Sequence, residues 1–467
     1  MSVCVAGIGT AGFACADVLL QKGARVTIVD AADGESQRER SDILGALGAT
    51  VVLGHAGPVP DGADVLVVSP GLRPFDPLIA DAHARGIPVW GELELAWRMR
   101  GSDAAPWLCV TGTNGKTTAT LMLESMLRAA GLATAAAGNI GEPLINAVVH
   151  DRLDVIAVEV GAPQLPFVTS MSPWSAACLN LAEDHVDHFG SMAQYAAAKA
   201  RVFHQAQVAA VYNVQDPATQ EMVRDADVVE GCRAIGFTLG VPAPSMLGVV
   251  DDVLVDRAFV DNRDREAQEL CAVSDVQPCA PHNVANALAA AALARSYGVP
   301  ATAVRDGLRG FVPAAHRIAD VGTVDGVRYV DDSKATNAHA ALTSLLAYDD
   351  VVWIAGGLAK GQEFDDLVQR TRDRLRAVVL LGRDREVLAQ ALARHAPDVP
   401  VTEVMRGDHG AMEEVVSCAA AVARPGDTVL LAPGCASWDM FRDYADRGDQ
   451  FAAAVRARGA SRPGAPA

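Results

Sequence analysis

The 467-residue chain lacks several features that mark particular classes of protein. Its nine cysteines include no C-x-x-C pair and no metal-finger spacing, which favours reduced thiols in the cytoplasm. Lys and Arg number 39 against 57 Asp and Glu, so the net charge of −18 argues against a nucleic-acid partner. No apolar run of about 18 residues predicts a membrane span, and no basic segment precedes an apolar one at the N-terminus. We therefore expect a globular cytoplasmic protein that binds small molecules.

Short β-rich runs alternate with helical patterns along most of the chain, which predicts an α/β fold of parallel sheets covered by helices. A polar segment at 100–106 and a second junction near Pro313 divide the pattern into three units. We predict a Rossmann-like domain at 1–104, a P-loop-type ATPase domain at 105–312 and a second Rossmann-like domain at 313–467. The weaker pattern at 232–280 predicts an antiparallel meander.

The first glycine motif is "GIGTAG", in which Gly7, Gly9 and Gly12 satisfy G-x-G-x-x-G between a strand and a helix. The next predicted strand ends at Asp30. Backbone amides exposed by glycine and a helix N-terminus suit a diphosphate. The motif predicts a nucleotide site without selecting the nucleotide, so an NAD(P)-dependent oxidoreductase is one alternative.

The second glycine motif, "TGTNGKTT" at 111–118, departs from the P-loop spacing, because Val110 stands where that pattern has its first glycine. A predicted strand precedes it and an amphipathic helix follows, so the backbone amides of the loop can still form an anion cradle. Lys116 is expected to reach the terminal phosphates of a nucleotide, and Thr117 is expected to bind magnesium.

Polar residues follow several other predicted strands. Glu159 ends one strand, and Glu183, Asp184, His185, Asp187 and His188 come after the next. Carboxylate oxygens suit Mg²⁺, which phosphoryl transfer needs. "DDSKATN" at 331–337 ends a later strand with a mixture that could hold a nucleotide, a metal or an anionic substrate.

The order of these motifs resembles the Mur ligase family over nearly the whole chain. The segments that carry the resemblance are "TGTNGKTT", "GNIG" (138–141), "LNLAEDHVDHFG", "YAAAKAR", "PHNVAN", "HR", "DDSKATN" and "APGCASWDMFRDYADRGDQF". The resemblance implies a peptidoglycan-precursor ligase that uses ATP and Mg²⁺ to add D-glutamate to UDP-N-acetylmuramoyl-L-alanine through an acyl phosphate. It also implies a monomer that works without nucleic acid or membrane.

The resemblance also implies roles for individual residues. The UDP substrate would be bound by Gly7, Gly9, Gly12, Asp30, Ser69, Pro70, Gly71 and Asn139. ATP would be bound by Gly112, Thr113, Asn114, Gly115, Lys116, Thr117, Thr118, Asn286, Arg317 and Asp332. Metal ligands would be Thr117, Glu159, His185 and Lys199, the last as a carbamate, and the catalytic set would be Lys116, His185, Lys199 and Arg317. Glutamate would be bound by Lys334, Thr336, Lys360, Ser437 and Tyr444.

The sequence departs from the pattern of the family in two places. Tyr444 stands where phenylalanine is common, which is a mild change. The usual Glu-x-Ser-Ser-Phe-Gln-Leu run is "EVGAPQL" at 159–165 here, so Gly161, Ala162 and Pro163 replace both serines and the phenylalanine. Two alternatives stay open beside the oxidoreductase, one because related ligases share these motifs and one because of the replaced segment. One is a related ligase with another acceptor, such as L-glutamate, and the other is a catalytically silent nucleotide-binding protein.

Overall fold

The computed structural model describes residues 1–101, 103–150, 152–184, 186–407 and 410–460. The chain divides into two compact units, residues 1–311 and 312–467. The first unit contains two sheets and the second contains one, and helices accompany each sheet. The predicted α/β class is confirmed. The predicted boundary between 104 and 105 falls inside the first unit and stays a prediction.

The N-terminal sheet is five-stranded and parallel, in the order β3-β2-β1-β4-β5. Its strands are β1 (Ser2–Ala6), β2 (Arg25–Asp30), β3 (Thr50–Leu53), β4 (Val65–Val68) and β5 (Val89–Gly91). Its helices are α1 (Thr10–Gln21), α2 (Glu35–Ala46), α3 (Pro77–Ala84) and α4 (Glu92–Met99). The strand order reverses between β1 and β4, and open α/β sheets bind ligands beside such a reversal.

The central sheet has nine strands, in the order β14-β13-β12-β11-β10-β9-β6-β8-β7. Its strands are β6 (Trp107–Thr111), β7 (Thr134–Gly138), β8 (Val155–Glu159), β9 (Ser175–Cys178), β10 (Ala209–Asn213), β11 (Arg233–Phe237), β12 (Met246–Val250), β13 (Val253–Asp256) and β14 (Gln268–Ala272). Its helices are α5 (Lys116–Ala129), α6 (Leu144–His150), α7 (Val186–Phe189), α8 (Met192–Ala200), α9 (Pro217–Arg224), α10 (Pro281–Ser296) and α11 (Ala301–Arg309). The predicted meander is partly wrong, because β11 pairs parallel with both β10 and β12. Only the pairs β12–β13 and β13–β14 of this region are antiparallel.

Strand β6 shows how the sequence builds two cores around the central sheet. Successive side chains of a strand point to opposite faces. Leu108 and Val110 therefore join the apolar cluster on one face, with α5 and α10, whereas Trp107 and Cys109 join the cluster on the other. That second cluster also includes Val3 and Val5 of β1, so the N-terminal and central sheets share apolar packing.

The second unit is built on a six-stranded sheet, in the order β15-β16-β20-β17-β18-β19. Its strands are β15 (Ala319–Val324), β16 (Val327–Asp331), β17 (Val351–Gly356), β18 (Leu375–Leu381), β19 (Val401–Glu403) and β20 (Thr428–Leu431). Its helices are α12 (Ala338–Leu345), α13 (Asp365–Thr371), α14 (Arg385–His395), α15 (Ala411–Val422) and α16 (Tyr444–Ala460). Only β15 is antiparallel to its neighbour. Within the described part of the chain, no helix combines the length and apolar character needed to cross a membrane.

Candidate active site

The phosphate-loop motif connects the central strand β6 to α5. Val110 lies within β6 and is fully buried, so the position that lacks the expected glycine belongs to the strand. The loop is therefore only residues 112–115, and it closes at Gly115 with φ 84°. The backbone N–H of Asn114 donates to Oδ1 of Asn180, and the Nδ2 of Asn180 donates to the Asn114 carbonyl. Asn180 follows β9, so the neighbouring strand fixes the loop.

Lys116 is the first residue of α5, and its side chain folds back over the loop. Its Nζ donates to the carbonyl oxygens of Gly112 at 3.0 Å and of Thr113 at 2.9 Å. Thr118 lies in the first turn of the same helix. A positive charge, a helix N-terminus and a short glycine loop thus coincide, which is the arrangement that binds phosphate in other proteins.

A line of three polar side chains crosses the carboxyl ends of adjacent strands. The Thr117 hydroxyl donates to Oε2 of Glu159 at 2.7 Å, and the Asn139 amide donates to Oε1 of the same carboxylate at 2.9 Å. Glu159 ends β8 and is 2% exposed. One predicted ATP residue, Thr117, and one predicted UDP-substrate residue, Asn139, therefore meet at the carboxylate of Glu159, a predicted metal ligand. The three residues come from three separate sequence motifs.

Lys199 lies in α8 with only 1% of its surface exposed. Burial lowers the pKa of its ammonium group to about 7, and the charge of Lys116 acts in the same direction. Its Nζ lies 4.6 Å from the centre of the Tyr195 ring, and the Tyr195 hydroxyl contacts Oγ1 of Thr113 at 3.1 Å. The structure therefore links this buried amine to the phosphate loop, which sequence spacing could not show.

Asn286 packs directly against the phosphate loop from α10. It is 5% exposed, and a Cβ atom built on Gly115 would overlap its Oδ1 atom. The glycine is thus required both by its left-handed backbone and by the closeness of this amide. His185, by contrast, lies outside the described residues, so its predicted role rests on sequence alone.

The replaced segment "EVGAPQL" forms a 3-10 helix at Ala162–Phe167. Gln164 accepts a hydrogen bond from the Gly161 N–H at 2.8 Å, so the retained glutamine caps this helix. A Cβ atom on Gly161 would lie 3.1 Å from Oδ1 of Asn139 and 3.3 Å from Oε1 of Gln164. A serine at this position would touch Asn139, and glycine removes that contact while the Asn139–Glu159 hydrogen bond remains.

A cavity of about 630 Å³ lies over the carboxyl ends of the N-terminal strands. Its lining includes six of the residues predicted to bind UDP: Gly7, Gly9, Asp30, Ser69, Pro70 and Gly71. Asp30 accepts hydrogen bonds from the N–H groups of Ile8 and Ala32, each at 2.8 Å, and so shapes the glycine loop. Gly12 does not line the cavity. A Cβ there would collide with the Gly7 carbonyl, so this glycine permits close packing of α1 against the loop.

A second cavity, of about 230 Å³, continues from the first toward Asn139. Thr10, Ala11 and Pro70 line both cavities, and Asn139 with Gly138 lines the far end of the second. A surface path thus joins the N-terminal glycine loop to the residue that holds Glu159. Sequence reasoning missed Glu92, which also lines this cavity. It is 3% exposed, and burial raises the pKa of its carboxyl group to about 7.

The second unit groups its predicted residues at the carboxyl ends of its own strands. Asp332 is buried after β16, where burial raises its pKa to about 6 and a hydrogen bond from Ser344 partly offsets that effect. Arg317 lies before β15, and its charge acts on Asp332. Lys334 holds its Nζ 4.0 Å from the Tyr444 ring centre. Thr336 is half-buried in the same loop.

Lys360 and Ser437 lie on two loops that pair through their backbones. Leu358 and Ala436 exchange hydrogen bonds of 2.9 and 3.0 Å. The Lys360 Nζ lies 4.3 Å from the ring centre of Trp438, which is 65% exposed. Sequence reasoning missed both Trp438 and the buried Arg447, which donates to the Ser333 hydroxyl at 2.9 Å. Only their position within the C-terminal motif could have drawn attention to them.

Three family models match the sequence. They are described as the Mur ligase MurD-like N-terminal domain over residues 1–91, the Mur ligase middle domain over 110–294 and the Mur ligase glutamate ligase domain over 316–435. Together these matches cover most of the chain and include the phosphate loop, Glu159, Lys199 and Asn286.

The curated relatives match over nearly their full length. The UDP-N-acetylmuramoylalanine--D-glutamate ligase of Streptomyces avermitilis is 58% identical over 460 residues, 98% of each chain. The protein of the same name from Thermobifida fusca is 54% identical and covers 97% of this chain and 98% of its own. The one from Mycolicibacterium smegmatis is 43% identical and covers 97% and 96%.

Solved structures of lower identity show the same fold. UDP-N-acetylmuramate-alanine ligase from Thermotoga maritima has a TM-score of 0.57 at 18% identity and covers 98% of this chain and 99% of its own. MurF from Acinetobacter baumannii has a TM-score of 0.58 at 17% identity, with coverage of 92% and 90%. FolC from E. coli, solved with DHPP and ADP, has a TM-score of 0.53 at 18% identity and covers 79% and 91%.

Proposed function

This chain belongs to the Mur ligase family of ATP-dependent ligases, and from that premise we propose that it joins D-glutamate to UDP-N-acetylmuramoyl-L-alanine in peptidoglycan synthesis. Full-length identity of 58% to D-glutamate ligases supports the choice of substrates. The observation that carries the reaction type is the hydrogen-bonded line Asn139–Glu159–Thr117, which connects the substrate path to the phosphate loop. The oxidoreductase alternative is not favoured, since it accounts for neither the loop nor this line.

The proposed reaction activates a carboxylate and then forms an amide. The terminal carboxylate of the UDP substrate attacks the γ-phosphorus of ATP, the bond to ADP breaks, and an acyl phosphate forms. The amine of D-glutamate attacks the acyl carbon, and phosphate leaves with the bonding electrons while the nitrogen loses a proton. The contribution of the protein is positioning and charge neutralisation. Lys116, over the loop, and Arg317 would neutralise the transferred phosphoryl group.

The donor set around Glu159 fits Mg²⁺. This ion prefers oxygen ligands and is commonly held by one or two carboxylates together with substrate phosphates. The Thr117 hydroxyl and the buried Glu159 carboxylate, 2.7 Å apart, offer such oxygens beside the loop. When bound, the metal would neutralise phosphate charge. We propose Thr117, Glu159, His185 and a modified Lys199 as its ligands.

The environment of Lys199 supports its proposed carbamylation. Burial holds the pKa of its amine near 7, so a neutral, nucleophilic fraction exists at physiological pH. That amine attacks CO₂, a C–N bond forms, and loss of one proton leaves a carbamate with one negative charge. The change replaces a cation that Lys116 repels with an anion that Lys116 attracts.

The substrate residues complete the proposal. The two connected cavities would hold UDP and extend the muramoyl chain toward Asn139. Asn286, Asp332 and the loop from Gly112 to Thr118 would contact ATP. Lys334, Thr336, Lys360, Ser437 and Tyr444 would hold D-glutamate. We further propose a monomer in the cytoplasm, and all nine cysteines are unpaired, as a reducing compartment requires.

The decisive test measures phosphate release from ATP with UDP-N-acetylmuramoyl-L-alanine while D- and L-amino acids are varied. We expect release only with D-glutamate, and only when the UDP substrate is present. Release with L-glutamate instead would assign another acceptor. No release with any acceptor would support a catalytically silent protein, and the Gly161-Ala162-Pro163 replacement would then be its first explanation.

A further inference from the structure

The proposed UDP cavity has a charge that does not suit its ligand. Its ionisable lining residues are Asp30, Asp76 and His55, and none of the described residues that line it is Lys or Arg. Asp30 holds the glycine loop, and Asp76 caps α3 by accepting from the Leu78 N–H. Two carboxylates beside a diphosphate raise its electrostatic energy, so a cation from outside the lining would add to the attraction of the loop amides and the helix N-terminus.

Arg40 of α2 is placed to supply that cation. Its NH1 group donates to the Ile8 carbonyl at 3.1 Å, between Gly7 and Gly9, which both line the cavity. Among the described residues this is its only hydrogen bond, so the other guanidinium N–H groups remain available to a ligand. Gln37, one turn earlier on the same face of α2, lines the cavity itself.

The neighbouring arginine differs in a way that makes it a matched control. Arg38 pairs with Asp33 through two hydrogen bonds of 2.8 and 3.0 Å, and its side chain is 65% exposed. Its charge is therefore committed to a surface ion pair. The two arginines share a helix, yet only Arg40 contacts the glycine loop.

Resting on the proposed function, we infer that Arg40 binds the diphosphate of the UDP substrate. The guanidinium can meet phosphate oxygens with two parallel N–H groups, which lysine cannot do. The Ile8 carbonyl orients the side chain before the ligand arrives. Arg40 is thus a substrate-binding residue that neither glycine motif contains.

The test measures the affinities of the full-length chain for UDP, UMP and uridine by calorimetry. Arg40→Met should weaken UDP binding about ten- to a hundredfold, because hydrogen bonds to charged groups are lost. Uridine binding should change less than about twofold, and UMP should be intermediate. Arg38→Met should leave all three unchanged, and Arg40→Lys should recover part of the UDP affinity.

Three results would overturn the inference. The first is a folded Arg40→Met protein, with the melting temperature of the wild type, that binds UDP as tightly as Arg38→Met does. The second is an equal loss for UDP and uridine, because the effect would then lie in the nucleoside or the fold. The third is a wild-type chain that does not bind UDP. That result would overturn the proposed UDP site and the inference together, whereas the first two results would overturn only the role of Arg40.

Discussion

Gly115 closes the phosphate loop with φ 84°, and any side chain there would overlap the Asn286 amide. We expect Gly115→Ala to lose about 1–2 kcal/mol of stability to the left-handed backbone and about 1–3 kcal/mol to overpacking. ATP affinity should fall as well, because relief of the collision must move the loop or α10. Calorimetric titration with ATP and thermal unfolding measure the two effects.

Gly131 provides the comparison for this prediction. It has φ 80°, but a Cβ there would meet nothing within 4 Å. Gly131→Ala should therefore cost only the backbone strain and leave ATP affinity unchanged. Equal behaviour of the two variants would show that the contact with Asn286 has no influence on the nucleotide site.

Burial of Lys199 is expected to lower the stability of the folded chain while it keeps a neutral, reactive fraction of the amine. Its folded pKa of about 7 lies below the roughly 10.4 of an unfolded lysine, so the unfolded chain binds more protons between these values. The destabilisation is therefore largest below pH 7 and fades as pH rises toward 10. In CO₂-free buffer, Lys199→Met should melt at a higher temperature than the wild type at pH 6.5, and this difference should shrink by pH 10.

The same substitution that raises the melting temperature should lower the ligase activity. Lys199→Met should lose phosphate release although it is more stable, because the carbamate cannot form. Lys22→Met, at an exposed lysine, should alter neither quantity. An active Lys199→Met enzyme would remove the proposed carbamate from the mechanism.

At the scale of elements, the individual strand–loop–helix units could be predicted from the sequence. Which strands pair with each other, and in which direction, could not. The apolar spacing after "TGTNGKTT" predicts α5, and the buried set Ala119, Leu123 and Met126 confirms it. The meander prediction failed at β11, because this strand pairs parallel with β10, which lies well before it in the chain, and with β12, which a loop connects to it. Short runs carry no signal for the direction of pairing.

The same distinction explains which site residues the sequence revealed. Residues inside strand-end motifs, such as Lys116 and Glu159, could be proposed from their position. Lys199, Glu92 and Arg447 derive their properties from burial by distant elements, so their immediate neighbours in sequence resemble ordinary helix positions. The resemblance to a family supplied Lys199, and nothing in the sequence supplied Glu92.

Glu94 of helix α4 carries a dense set of hydrogen bonds. Glu94 accepts four hydrogen bonds from Thr169 and Ser170, two from N–H groups and two from hydroxyls, and a fifth from Arg98. Burial alone would raise the pKa of Glu94, but the bonds from Ser170 and Thr169 outweigh it and lower the pKa to about 2. This carboxylate therefore ties α4 to the segment that follows the 3-10 helix of "EVGAPQL".

The depressed pKa of Glu94 gives a stability prediction with a defined sign. Its contribution is fully present above the unfolded value of roughly 4.3 and is lost as pH falls toward 2. Glu94→Gln should destabilise the chain by about 3 kcal/mol at pH 7, since charged hydrogen bonds are weakened, and less at pH 3. Thermal melts across this range measure it. Glu39→Gln, at an exposed residue, should show no such pH dependence.

At the scale of the whole molecule, the residues proposed to bind the substrates are divided unequally between the two compact units. The phosphate loop, Asn286, Lys199 and both cavities lie within residues 1–311. Arg317, Asp332 and the glutamate residues lie within 312–467. The apolar clusters follow the same division, since four are built from residues of the first unit and two from residues of the second. Each unit therefore has a core with which to fold alone.

A truncated chain of residues 1–311 tests this division. We expect it to fold and to bind UDP with the affinity of the full-length protein, because the described UDP cavity is complete within it. ATP should bind more weakly, by about tenfold or more, if Arg317 and Asp332 contribute a charged hydrogen bond. Calorimetry on both chains measures the two affinities. Unchanged ATP affinity would exclude Arg317 and Asp332 from ground-state nucleotide binding, and lost UDP affinity would show that the first unit needs the second to form its site.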